Sequence, residues 1–469
     1  MTRHQGRSSD ISPRNHDHPG NRPGKNPDGK SPPGAPDGDR KDDRTPGLVS
    51  DDAEVGRITD SITRHGSMAF DIEFVSADRF IPDLSVIQVA WGRPDEPEVA
   101  AIDCLAVDPR PILDLVADPR IMTIAHAARQ DLGLLAVRFD VIAQDLWDTQ
   151  IAAAFAGLGD QIGYAKLANR VLGIRLDKGQ QFTAWLDRPL SPAQLRYALD
   201  DVRYLLPIWY ELESRLEELG RLQWVGEESD RLCRSVGPLP PADEAYREVK
   251  GWRGLRGKAL GSLRSLAAWR QNEALARNKP LSWLMPARAM IDACRAGART
   301  ERDLRQIRGI GDGTTRRHGP AILQAIAEGK HAPPAEEAPE APRSQSSRAQ
   351  AWAAIIASMV QARCIAEGIA PRFVATRSDA DEVAMWFDDL LETGRGPGDP
   401  DAEPDAEPDA EALAEPDISL LCGWRRELAG ELILAWLRGE QAVVATRDRA
   451  GLQLAPVPTP VGTDDSGDG

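Results

Sequence analysis

In the run Met68–Asp78, MAFDIEFVSAD, two carboxylates interrupt an otherwise apolar, strand-like stretch. A strand alternates faces with a period of two, so Asp71 and Glu73 project from the same side. Like charges on one face of a buried strand repel and lose hydration unless something cationic lies between them. Other acids stand where they could join the pair. Asp131 opens a helical run just after the strand-like IMTIAHA, at a strand's C-terminal end, where α/β sites gather. Tyr197 and Asp201 are four apart in a helical pattern and so share a face. Taken singly, a helix-start Asp complements the helix dipole and a helix-face Asp is solvated.

The elements that must position these groups are legible as patterns. SMAFDIEF, SVIQVAWG and EVAAIDCL read as three strands separated by turn residues, and IMTIAHA as a fourth. ARQDLGLLAVRF and DTQIAAAF are helical. Strands followed by strand–helix alternation predict an α/β domain with a mixed sheet. The long pattern LSPAQLRYALDDVRYLLPIWYELESRLEELG starts on Ser191 as N-cap with Pro192 in the first turn. It carries an apolar stripe through Leu195, Leu199, Val202, Leu206 and Trp209, and ends at Gly220. Pro207 inside it predicts a kink.

The chain of 469 residues has room for two to four domains, and its formal charge of −16 is unevenly placed. Residues 251–330 hold 16 Lys/Arg against 6 Asp/Glu, whereas residues 58–225 hold 16 against 25. An acidic module beside a basic one points to a nucleic-acid partner that the net charge hides. Five scattered cysteines without a CxxC suit a reduced compartment and exclude a cysteine zinc site of ordinary spacing. The first thirty residues lack the apolar stretch of a signal peptide and no run is long enough to span a bilayer, so a cytoplasmic protein without membrane attachment is expected. No GxxxxGK[ST] occurs, which excludes ATP-driven chemistry of the P-loop type.

Composition divides the chain further. Residues 1–57 are rich in Pro, Gly, Asp and Arg and are expected to be a disordered extension, with His4, His16 and His18 as loose solvated side chains. A charged, Pro-containing connector at 226–258 precedes a helical module at 259–331, and a Pro/Glu/Ala linker fills 332–347. A further helical module at 348–455 is interrupted at 396–417 by a low-complexity DAEP repeat, expected to be disordered, and 456–469 form a tail. On this division, the acidic module is expected to stand alone if the chain is cut after about residue 235.

FDIEF, AHAARQDLGLL and YALDDVRYLLPI resemble, in order and spacing, the three exonuclease motifs of the DEDD superfamily. DTQIAAAF and LDKGQQFTAWLDRPLS between them resemble the ribonuclease D family in particular. The resemblance covers about residues 58–225 and implies an RNase H-like fold in which Asp71, Glu73, Asp131 and Asp201 bind two divalent ions, Mg²⁺ or Mn²⁺. Such ions prefer hard oxygen ligands, and a pair can serve both the attacking and the leaving oxygen of a phosphodiester. One branch of the superfamily has a His five residues before the last Asp, where this chain has Arg196; the other has a Tyr four residues before it, as Tyr197 stands here. A phenol with a pKa near ~10 is a poor base at neutral pH, so Tyr197 is expected to orient the attacking water. Gln88, His126, Gln150, Lys178 and Trp185 lie in family-like stretches and are candidates for RNA contact.

The stretch 262–329, including LAAWR and ARAMIDACRAGARTERDLRQIRGIG, resembles the HRDC domain, which implies a helical bundle that helps bind nucleic acid. Its excess of Lys/Arg supports the same reading, since phosphate contacts carry sequence-independent affinity. In RGIGDGTTRRHG a turn between helices could offer backbone N–H groups and Arg316 or Arg317 to a phosphate. LLCGWRRELAGELILAWLRGE is similar to the second HRDC-like domain of ribonuclease D. The architecture expected is an α/β RNase H-like exonuclease domain with a mixed sheet, followed by two all-α HRDC-type domains. The activity expected is metal-dependent 3′→5′ hydrolysis of tRNA precursors or other structured RNA with a free 3′ end, releasing nucleoside 5′-monophosphates. A DNA exonuclease and a catalytically inactive nucleic-acid-binding protein are the alternatives.

Overall fold

The computed structural model describes residues 47–176, 183–331, 345–392 and 415–457. Most of the expected N-terminal extension, linker, acidic insertion and tail lies outside the described residues, as does Lys178.

Six strands form one mixed sheet: β1 (Leu48–Val49), β2 (Ser67–Val75), β3 (Asp83–Arg93), β4 (Glu96–Asp103), β5 (Met122–Ala125) and β6 (Leu146–Asp148), in the order β1-β4-β3-β2-β5-β6. β3 is antiparallel to β2 and β4; the other neighbours are parallel. The helices of this domain are α1 (Asp52–His65), α2 (Arg110–Val116), α3 (Arg129–Phe139), α4 (Thr149–Phe155), α5 (Tyr164–Leu172), α6 (Pro192–Arg203), α7 (Leu205–Glu218) and α8 (Leu222–Arg234). The period-two pattern of β2 decides what each face does. Met68, Phe70 and Ile72 enter one core with Ile87, Val89 and Ile62, while Ala69 enters the other, beneath α6 and α7. Asp71 and Glu73 share the face of Ala69.

Three expectations are corrected within this domain. Order does not begin near Ile58: α1 starts at Asp52, capped by the Asp51 side chain, which accepts from Glu54 N–H at 3.0 Å. Its polar first turn concealed the buried stripe Val55, Ile58, Ile62. The domain also runs past residue 225, because α8 packs along β6, where Asp148 N–H donates to Ser229 Oγ at 3.4 Å. The long helix is not merely kinked at Pro207 but interrupted at Tyr204, placing Pro207 in the first turn of α7, where its missing N–H costs nothing.

The basic module is a helical bundle of α9 (Gly257–Arg277), α10 (Leu281–Leu284), α11 (Ala287–Ala296), α12 (Glu301–Arg305) and α13 (Asp312–Gly329). α9 and α13 cross so closely at Gly261 and Gly329 that a Cβ on Gly261 would lie 2.2 Å from the Gly329 carbonyl oxygen. The second half of the expected connector is part of this module: Tyr246, Val249 and Leu255 are buried in its core.

The C-terminal module comprises α14 (Ser347–Glu367), α15 (Pro371–Val374), α16 (Arg377–Glu392), α17 (Gly423–Arg425), a π-helical turn Arg426–Gly430 and α18 (Glu431–Leu437). It is not all-α. Gln441–Ala445 (β7) and Leu452–Pro456 (β8) form an antiparallel hairpin whose turn is tied by Asp448, which accepts from Ala450 N–H and Gly451 N–H at 3.0 Å each. Nor does the acidic domain stand alone. Trp424 stacks on Trp224 at 5.1 Å and meets Phe155 edge-on, and Phe155 also packs on Phe373. Arg425 pairs with Glu228, both nearly enclosed, and donates from Nε to the Phe373 carbonyl at 2.7 Å. A cut after residue 235 therefore opens a core that both modules build.

Removing one partner of an enclosed ion pair leaves the other charge without compensation. Arg425→Ala is expected to lower stability by about 3–5 kcal/mol in denaturant unfolding. A change within the ordinary surface range would show that Glu228 is reached by water.

Candidate active site

Four elements bring the acids together. β2 presents Asp71 and Glu73 on one face, α6 lies across β2, β3 and β4 on that face, and α3 begins beside the end of β5. Carboxylate oxygens of Asp71, Glu73 and Asp201 all fall within 4.8 Å of one another. Asp131 stands outside that triplet but close enough for its charge to act on Asp71 and Glu73.

The local devices that hold α6 in place are specific. The β2–β3 pairing slips between Glu73 and Phe74, leaving Ser85 as an extra residue of β3. Ser85 Oγ donates to the Trp185 carbonyl at 2.5 Å, and Arg188 bonds the Ser85 carbonyl at 3.2 Å. The same guanidinium grips Asp103 on β4 with both oxygens, at 2.6 and 2.8 Å. This fastens the segment entering α6 to β3 and β4 of the sheet. A capping box then starts α6, with Ser191 Oγ accepting from Gln194 N–H and the Gln194 side chain accepting from Ser191 N–H.

Electrostatically the cluster is unbalanced. Burial, then the charge of Asp131, pushes the Asp71 carboxyl well above its ordinary range. Burial and then Asp71, Asp201 and Asp131 raise Glu73 to about 9. Burial and then Asp71 raise Asp201 to about 8, against a Tyr197 hydrogen bond that lowers it. Burial and then Asp148 raise Asp131 to about 8. Among the described residues no lysine or arginine forms an ion pair with any of the four. The donors are all hard carboxylate oxygens, and their missing counter-charge is what a divalent cation provides. The site residues fit such an ion.

Tyr197 lies beside Asp201, close enough for its hydroxyl to lower that carboxyl's pKa, while burial and then the neighbouring acids raise its own. The remaining expected contacts divide. Gln88 is fully buried, directly opposite Asp71 in the β2–β3 register, with neither amide atom paired among the described residues. Trp185 is 2% exposed, with its ring centroid 6.2 Å from that of Tyr197. Neither reaches the surface, so both are corrected from RNA contacts to buried groups packed beside the site. Gln150 is turned inward, its Nε2 donating to the Ile162 carbonyl at 3.2 Å. His126 Nδ1 lies 2.9 Å from Thr149 Oγ1, whose proton goes to the Ala125 carbonyl, so Nδ1 carries the ring proton. Arg316 and Arg317 are exposed, but inside α13 rather than in the turn before it.

Two residues of the site were not anticipated. Asp148 caps α4 and also accepts from Ala127 N–H and Ala128 N–H at 3.1 and 3.0 Å. That grip holds Ala127 at a left-handed φ of 56° and sets where α3, with Asp131, begins. An Asp directly before an apolar helical run was the available signal. Tyr164 donates its hydroxyl to the Asp200 carbonyl at 2.8 Å, tying α5 to the turn of α6 that bears Asp201. Nothing local in the sequence announces that bond.

Comparison with known proteins places this geometry. A family model described as 3'-5' exonuclease matches residues 47–217, and one described as HRDC domain matches residues 259–326. Ribonuclease D of Granulibacter bethesdensis is 33% identical over 407 residues, covering 84% of this chain and 93% of the relative. Ribonuclease D of Acidiphilium cryptum is 32% identical, covering 86% and 96%. The crystal structure of Escherichia coli RNase D, described as an exoribonuclease involved in structured RNA processing, superposes with a TM-score of 0.69 at 25% identity, covering 84% of this chain and 98% of that one.

The raised carboxylates make a pH prediction. Their pKa values in the unfolded chain lie near ~4, so between about pH 4 and 9 the metal-free folded state holds protons that the unfolded state has released. Stability then falls as pH rises through that window. The metal-free melting temperature is expected to drop by several degrees from pH 6 to pH 9, to recover with Mg²⁺, and to drop less in Asp71→Asn. Thermal unfolding with EDTA or Mg²⁺ reads this out; identical pH slopes in wild type and variant would contradict it.

Proposed function

The chain belongs to the ribonuclease D family and is a 3′→5′ exoribonuclease; from that premise we propose that Asp71, Glu73, Asp131 and Asp201 hold two divalent cations, Mg²⁺ or Mn²⁺, at its active site. The observation that carries the assignment is the convergence of Asp71, Glu73 and Asp201 oxygens within 4.8 Å, where no described lysine or arginine pairs with them. When bound, the cations supply Lewis-acid charge at the scissile phosphate and lower the pKa of water. Glu73 and Asp201 approach from opposite elements, strand and helix, and so clamp the site. Asp131 joins from the side of Asp71, whose carboxyl it affects most after burial.

Tyr197 keeps its proton at neutral pH, because burial and then the charges of Asp201, Glu73 and Asp71 raise its pKa. It therefore serves to orient the attacking water, not as the base that deprotonates it. The substrate is RNA with a free 3′ end, and the products are nucleoside 5′-monophosphates. Precursors of tRNA and other structured RNA fit the combination of a confined acidic site with an adjoining module of net +10 charge.

Incubating 3′-end-labelled RNA and DNA with and without Mg²⁺ tests the reading, with cation-dependent loss of RNA label expected. Asp71→Asn and Asp201→Asn are expected to lose activity by several orders of magnitude while remaining folded; near-wild-type turnover in either removes the two-cation assignment. Tyr197→Phe is expected to lower kcat by about 10²-fold or more while its dependence on Mg²⁺ concentration stays close to wild type. A shifted Mg²⁺ dependence would instead make Tyr197 part of the cation site.

A further inference from the structure

The basic module touches the catalytic domain next to the strand that carries Asp71 and Glu73. Asn278, the left-handed residue that ends α9, accepts from Phe80 N–H at 3.0 Å and from Ile81 N–H at 2.8 Å. Its neighbour Lys279 donates from Nζ to the Asp78 carbonyl at 3.4 Å. All three bonds fall on the β2–β3 loop, which leaves β2 just beyond Glu73. On the loop's far side, Arg138 donates to the Pro82 carbonyl at 3.2 Å and pairs with Asp83.

Mounted on this clamp is Trp283, in α10. It is 58% exposed, the most of any exposed large apolar side chain among the described residues. Lys279 Nζ sits 5.6 Å from its ring centroid, so the ring is held beside a cation. A solitary exposed apolar side chain is unremarkable. Here the indole lies against a cation whose own helix end is bonded three times to the catalytic loop. Glu73 and Asp78 are five residues apart, so Lys279 Nζ lies within roughly 25 Å of Glu73.

We propose that Trp283 and Lys279 form a stacking platform for one nucleobase in the single-stranded 3′ segment of the RNA, a few nucleotides upstream of the active site. The proposal rests on the RNA-degrading reading above. A flat indole accepts any base on its face, and a cation beside it meets the adjoining phosphate, which is how sequence-tolerant single-strand binding works. The charge distribution selects the same occupant, because the platform belongs to the module of net +10 charge while the catalytic domain is acidic. A base seated there keeps the strand aligned as 3′ nucleotides are removed.

The test measures binding of the full chain to a hairpin RNA with a 3′ single-stranded tail, with EDTA present to prevent cleavage. A series of tails carries one abasic site at successive positions. Trp283→Ala is expected to weaken binding about 5- to 100-fold, with Trp283→Phe retaining most of the affinity. In the wild type, an abasic site at one tail position is expected to cause a similar loss, and that loss is expected to vanish in Trp283→Ala, since both changes delete the same contact. Trp283→Ala binding within twofold of wild type, or abasic losses unchanged in the variant, overturns the platform. Degradation of the same RNA by the wild type with Mg²⁺ separates the two levels. An active wild type with either negative result removes the platform alone, whereas an inactive wild type removes the RNA reading and the platform with it.

Discussion

Asp71, Glu73 and Asp201 hold mutually repelling carboxylates within 4.8 Å of one another, with the charge of Asp131 acting on the first two, and much of the catalytic domain serves that constraint. β2 is paired with β5 through Ala69 and with β3 along its whole length, so the backbone of Asp71 and Glu73 is laddered to Gln88 and Val86 of β3. α6 has to be pressed against that face although Asp201 would be repelled from it. Arg188 supplies the counterforce from a distance, gripping Asp103 and Ser85 so that the positive charge fastens the helix without neutralising the cluster. Tyr164 adds a neutral bond to the Asp200 carbonyl. Asp148 supports the fourth acid through backbone N–H groups, at the expense of a left-handed Ala127.

The two flanking modules join this domain by different physics. The C-terminal module shares its core: stacked and edge-on aromatics surround the enclosed Arg425–Glu228 pair, an arrangement that cannot open without exposing large apolar surface and a bare charge. The basic bundle has its own core, closed by the Gly261–Gly329 crossing, and meets the catalytic loop through side-chain-to-backbone hydrogen bonds. The first junction is part of the fold. The second fixes direction, setting the basic bundle and its exposed Trp283 at the exit of β2.

Much of the site was legible in the sequence because its signals are local. Asp71 and Glu73 share a face by strand periodicity, Tyr197 and Asp201 by helical periodicity, and Ser191–Pro192 marks the start of α6 through capping chemistry alone. The mixed sheet and the basic bundle follow from the same short-range patterns. Family-like motifs then supplied the order in which these pieces combine.

What only the tertiary structure decided are relations between distant segments, for which a linear chain carries no periodic signal. Gln88 and Trp185 stand in the motifs where an RNA contact was expected, yet strand pairing and the α6 anchor turn both inward. The Tyr164–Asp200 bond spans 36 residues, the Trp424–Glu228 bond 196 and the Phe80–Asn278 bond 198. The two-residue β1 and the polar first turn of α1 are too weak in local propensity to be read, and they are ordered by parallel pairing to β4 and by burial of Val55 and Ile62. Side-chain periodicity says which residues share a face. Which face meets which is settled only when the apolar surfaces close and the remaining polar groups must find partners.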